Sequence, residues 1–275
     1  MLTRKSYDFV EFAGQIKPFK EKGYISGRIN LNIHTLSPLY IGSGYEDSKD
    51  GMLYKTFLRY RGVPVIPGST VKGVVRTISE AVSYSCIDVA KNGEKLPFEN
   101  KKKCDCIACK TFGRMGYKGR ISFSDFILEK GDIEIIKVAK LMSPQIKKGS
   151  MYYKGDKYRG IKFYRHGDYN ALEAGEIPLE TVLEKSVFKG QIIFHDVHEK
   201  QIELICYSLG LDESFYPMIG GNKPGYFGSC RFEIDTYEFS KEGIEPLISA
   251  KKYGVEDKVL EKNKSKLSEI LSIRN

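Results

Sequence analysis

The stretch GVPVIPGSTVKGVVRTISE, Gly62–Glu80, decides the fold. A short apolar strand (Val63, Val65, Ile66) passes through a Pro67-Gly68 break into a helix that Ser69 or Thr70 is placed to cap. Val71, Val74, Val75, Ile78 and Val82 follow at the spacings of one helical face, while Lys72, Arg76 and Glu80 occupy the other at i,i+4 steps. The segment predicts a strand turning sharply into an amphipathic helix with a basic, solvated outer face. A glycine turn, the first N–H groups of a helix, its positive dipole end and Lys72 together suit a phosphate. A plain strand-to-helix connection accounts for the same residues.

Working outward, Tyr24–His34 alternates cleanly. Ile25, Gly27, Ile29, Leu31 and Ile33 fall on one side and Ser26, Arg28, Asn30, Asn32 and His34 on the other, as in a half-buried strand. It leads into SPLYIGSG, where Gly42 and Gly44 either form a plain turn or let another backbone approach closely. Residues 45–62 read as a loop followed by a hairpin strand, Leu53–Tyr60. Beyond the helix, Cys86–Lys118 is irregular and lysine-rich, and Arg120–Leu128 reads as a strand. Residues 130–185 are too long for a simple connection and read as a projecting insertion with a β-like run, Ile133–Leu141. Ser186–His195 is a strand, and Asp196–Leu209 carries a helical stripe ending at Gly210. The glycine-rich loop IGGNKPGYFGS then feeds a last strand, and a charged helix occupies the tail from Val255. With hairpin and insertion set aside, the order is β-α-β-β-α-β, an α+β, ferredoxin-like (RRM-like) core. We expect one domain over residues 1–240, including the cysteine-rich loop 86–118 and the insertion 130–185, with a helical tail over 241–275.

Of 275 residues, Lys and Arg number 44 and Asp and Glu 35, giving a net charge of +9. That balance favours a polyanionic partner. The N-terminus lacks a continuous apolar signal segment and no stretch reaches membrane-span length, so a cytoplasmic protein without a membrane partner is expected. Six cysteines there should be thiols or metal ligands.

Cys104, Cys106 and Cys109 form a C-x-C-x-x-C group among lysines, and Cys86 lies upstream. Four thiolates would close a tetrahedral site for structural zinc, stapling a loop with little apolar content. Packed thiols, or a redox pair at Cys106 and Cys109, use the same residues. The loop Ile219–Gly228 has the composition of a phosphate cradle, with Gly220, Gly221, Gly225 and Gly228 around Lys223. It precedes a strand, so neither a P-loop nor a dinucleotide motif fits. The insertion interleaves Lys147, Lys148, Lys154, Lys157, Arg159, Lys162 and Arg165 with tyrosines, as in single-strand binding surfaces or in a solvated loop.

The run Val65–Arg76, VIPGSTVKGVVR, resembles the central signature of the RAMP superfamily, the ferredoxin-like RNA-binding subunits of CRISPR effector complexes, and most resembles type III members. Tyr40–Gly44 (YIGSG), Cys104–Asp125 (CDCIACKTFGRMGYKGRISFSD) and Ile219–Phe232 (IGGNKPGYFGSCRF) support it in the same order. The resemblance implies guide RNA and target RNA as partners, beside other RAMP subunits of a multi-subunit complex. It implies that Gly42, Gly44, Ser69, Lys72, Arg76, Gly220, Gly221, Lys223 and Gly225 face the guide, and that Lys147, Lys148 and Arg165 belong to a thumb over the guide–target duplex. It also implies a zinc in the cysteine region. Related backbone subunits cut target RNA with an aspartate in the loop after the first glycine turn; here that loop holds Asp47 and Asp50 but departs from the family pattern. Either one of these serves, aided by a divalent cation such as magnesium, or the chain binds without cleaving. Binding is the favoured expectation.

Overall fold

The computed structural model describes residues 6–87, 104–144, 150–155, 157–172 and 175–273. Its central antiparallel sheet places Cys230–Phe239, Ile25–Thr35, Val187–Val197 and Phe126–Lys130 side by side, with Ile121–Phe123 also paired to the third of these. Helix α1 (Gly68–Ala81) follows the first core strand, α2 (Ile107–Phe112) lies in the cysteine segment, and α3 (Glu199–Ser208) follows the third core strand. The spatial strand order is fourth, first, third, second, so the expected ferredoxin-like core is present. Alternation explains the layering. Ile29, Leu31 and Ile33 are buried in one cluster with Val71 and Val75 of α1 and Ile202 and Ile205 of α3, while Asn30, Asn32 and His34 take the other face. Cys206 and Cys230, which stand apart from the C-x-C-x-x-C group, are fully buried in the core.

The structure revises the reading of residues 45–52. Gly42–Lys49 is a strand paired with Met52–Phe57 through a tight turn in which Asp50 and Gly51 both have positive φ, 52° and 79°. This hairpin joins Ile177–Val182 and Ile133–Val138 in a second, four-stranded sheet. Arg59 fixes that junction by a two-pronged ion pair to Glu180 at 2.6 and 2.8 Å, and Glu180 also accepts from the Phe57 N–H.

The rest of segment 130–185 folds back instead of projecting freely. Ile161–Tyr164 pairs with Tyr7–Val10. Lys162 sits 3.8 Å from the Tyr7 ring centre and 4.4 Å from that of Tyr164, donating to the hydroxyls of Tyr152 and Tyr164. Helices α4 (Pro246–Lys252) and α5 (Lys258–Leu271) dock on the chain's own body. Leu267, Ile270 and Leu271 share a second buried cluster with Val10, Ile78, Val82, Phe163 and Tyr207. Asn263 ties α5 down by donating to the carbonyls of Glu11 and Ala81. Among the described residues no helix is long and apolar enough to cross a membrane.

One ion-pair network joins these terminal pieces. Arg165 and Lys266 reach Asp8 at 2.9 and 2.8 Å and also contact Glu269. Burial alone raises the Asp8 pKa, but hydrogen bonds from Lys266 and the Phe9 N–H, with the charges of Lys266 and Arg165, hold it below the ordinary carboxylate value. Hydrogen bonding from Lys266 lowers that of Glu269. Depressed carboxylates contribute stability above their unfolded-state pKa values, and that contribution disappears as pH falls through the folded-state values. The melting temperature of the native chain should therefore fall more between pH 6 and about pH 3 than that of Asp8→Asn. Equal falls would exclude this network as a source of acid sensitivity.

Candidate phosphate-binding surface and metal centre

At the start of α1 the chain turns so tightly that a side chain on Gly68 would press into the carbonyl oxygens of Phe123 and Ser124. Neither Ser69 nor Thr70 caps the helix. The Gly68 N–H instead donates to Asp125 Oδ1 at 2.8 Å. An internal carboxylate thus meets the positive helix end, which sequence pattern did not reveal; the only signal was an acid closing the Ile121–Asp125 run. The outer face is not uniformly solvated. Arg76 is 20% exposed and paired with Glu80, 8% exposed, at 2.7 Å, and it donates to the Gly113 carbonyl, clamping α1 to the cysteine segment. Ser69 is exposed. Lys72 is half-buried and forms no ion pair among the described residues; burial first, then Arg76, lowers its pKa.

The two glycine loops meet at the end of the sheet where Thr35 pairs with Cys230. The Gly221 N–H donates to the Tyr40 carbonyl and that of Gly228 to Pro38, both at 2.8 Å, so the cradle is anchored on the YIGSG turn through these bonds. Gly220, at φ 82°, has no room for a side chain above the Tyr40 carbonyl. Asn222 and Tyr226 are also left-handed, at 52° and 63°, and they bracket a turn containing Lys223 and Gly225. Lys223 curls back to donate to the Gly220 carbonyl at 2.5 Å. Burial lowers its pKa, and no carboxylate offsets that cost among the described residues. His166, passed over at the level of sequence, holds the loop's far end through Ser229 Oγ at 2.7 Å and the Tyr216 carbonyl at 2.9 Å, and burial lowers its pKa. Gly42 and Gly44 lie in the hairpin strand, and Gly44 has φ 87°.

The sulfur atoms of Cys86, Cys104, Cys106 and Cys109 lie within 4.8 Å of one another. Cys86 Sγ is 3.3 Å from Cys109 Sγ and 3.7 Å from Cys106 Sγ, too far for a disulfide. Cys106 immediately precedes α2 and Cys109 sits within it, so one short helix delivers two of the four. Arg114 donates to the Cys104 carbonyl at 2.7 Å, and Lys110 and Arg114 both approach Asp105. Contacts with Cys109 and Cys86 draw the Cys106 thiol down, while those with Cys106 push the other two up. Four close sulfurs backed by cations can hold a metal ion.

Other predicted residues are placed differently. Lys147 and Lys148 lie outside the described residues. Arg165 is 12% exposed and committed to Asp8 and Glu269. Asp47 accepts from the Ser48 N–H and the Tyr54 hydroxyl, and Asp50 forms the hairpin turn. Glu46 and Asp47 are successive strand residues and so point to opposite faces. Among the described residues the cysteines are the one grouping of three or more potential metal ligands.

A ferredoxin-like sheet with glycine loops at one end and a cysteine cluster beside the first helix defines the class of domain. The family model of the RAMP superfamily matches residues 32–246, and the chain belongs to that superfamily of CRISPR-associated, RNA-binding proteins. No curated protein matches it.

Proposed function

We propose that the chain grips the sugar-phosphate backbone of guide RNA inside a type III CRISPR ribonucleoprotein in the cytoplasm, beside target RNA and sibling RAMP subunits. The observation that carries this is the pair Lys72 and Lys223. Each is partly desolvated, each has its pKa lowered by burial, and neither has a carboxylate partner among the described residues. The Lys72 ammonium, and the donors that Lys223 does not spend on the Gly220 carbonyl, can take an external anion. The anchored glycine loop adds backbone N–H groups that read no sequence. Zinc is the proposed metal at the cysteines. Four sulfurs around zinc at about 2.3 Å stand roughly 3.8 Å apart, close to the spacing found. Such an ion would staple the loop and take no part in RNA chemistry. Cleavage is left out of the proposal because Asp47, Asp50 and Glu46 do not converge.

Purifying the native assembly from its host and sequencing its RNA tests this reading. Repeat-derived guides accompanied by other RAMP subunits are expected. An assembly without RNA and without such partners would overturn it.

A further inference from the structure

We propose that the outer surface of α4 and the turn leading to α5 docks an acidic amphipathic segment of another protein subunit. The inner face of α4 is fixed by buried Pro246 and Ala250, and buried Tyr253 just beyond it donates to the Val82 carbonyl at 2.8 Å. Helical geometry then turns Leu247, Ile248, Lys251 and Lys252 outward. Leu247 is 52% exposed, Ile248 44%, Val255 54% and Val259 42%. Single exposed aliphatics are ordinary, but here three fall within one short helix and the turn after it, and a fourth, Val259, in the first turn of α5. A groove lined by Ile248, Lys251, Lys252, Gly254 and Val255 runs across this surface.

Charge selects the occupant. Lys251 and Lys258 form no ion pair among the described residues, whereas the charge of Lys252 already acts on Glu199 and Glu203 of α3. Of the acids lining the groove, Asp257 is spent on the Val259 and Leu260 N–H groups and the Tyr84 hydroxyl, leaving Glu256. An apolar strip edged by Lys251 and Lys258, with Lys252 shared with the acids of α3, complements a helix whose apolar stripe is flanked by Asp or Glu. The surface starts where the family match ends, at residue 246. None of its residues belongs to either glycine loop, and the inference does not depend on RNA binding.

The test places the photocrosslinker p-benzoylphenylalanine at Ile248 in the full chain, expressed in its host, with the same probe at Glu242 as control. The native assembly is irradiated and the crosslinked peptide mapped. The expected product is a protein segment with regularly spaced leucine-type residues and an excess of acids. Lys251→Glu combined with Lys252→Glu should lower its yield about tenfold, and reversing the partner's acids to lysine should restore it. A product with RNA or lipid, a segment lacking excess acid, or a yield no greater than at Glu242 would overturn the proposal.

Discussion

Cys106→Ser should release the zinc proposed at the cysteine cluster and lower the melting temperature of the full chain by roughly 10 °C or more, the largest stability effect expected from any single substitution here. Cys106 is fully buried and immediately precedes α2, so its loss removes one ligand and leaves three crowded sulfurs beneath that helix. The segment has little else to hold it. Among the described residues its apolar contributions to the core are the cysteines themselves, Ile87, Ala108 and Phe112, with Ile107 packed at the edge of the second cluster. Loss of a structural metal belongs with the short list of changes that cost more than about 4 kcal/mol. The damage should spread, because Arg76 of α1 donates to the Gly113 carbonyl just after α2. Cys206→Ala is the matched control. That thiol is equally buried but lies on α3 away from the cluster, so the change should cost about 1 kcal/mol and release no metal. Elemental analysis of protein purified without chelators, with calorimetry, reads both quantities. A metal-free native chain whose melting point survives Cys106→Ser would show the cluster to be a set of packed thiols.

The cysteine site was legible because ligand spacing is local in sequence, as was the turn from strand into α1. Gly42–Lys49 was not legible as a strand, since nearly every residue is exposed and no alternation marks it. Its pairing rests on the Asp50-Gly51 turn and on a partner strand. The return of the insertion's end onto the N-terminal strand was not legible for a different reason. A tyrosine-lysine run reads equally well as a nucleic-acid surface or as a cage for its own lysine, and only the long-range pairing of Ile161–Tyr164 with Tyr7–Val10 decides. Arg76 shows the same limit. Its i,i+4 partner Glu80 was visible in the sequence, but the Gly113 carbonyl that draws the pair out of solvent was not.

Neutralising Lys72 and Lys223 separates a binding surface from a structural one. Replacing both by methionine keeps the aliphatic stems and removes two desolvated charges without carboxylate partners. The free chain should keep its stability to within about 1 kcal/mol, because relief of the two desolvated charges offsets the lost hydrogen bond from Lys223 to the Gly220 carbonyl. Affinity for single-stranded RNA should nevertheless fall on the order of tenfold for each lysine at moderate salt. The slope of log affinity against log salt should become shallower by about 1.4, the share of two phosphate contacts on a single strand. Arg165→Gln supplies the opposite pattern. Its guanidinium is spent on Asp8 and Glu269, so stability should drop while the salt slope holds. The methionine variants decide the matter because a purely structural lysine would lose stability and leave the slope alone. If the double variant binds RNA with native affinity and native salt dependence, the two lysines lie off the RNA path and the glycine loop is no more than a connection. If the slope flattens while the fold holds, the unmet charge at these two positions is what the chain keeps for phosphate.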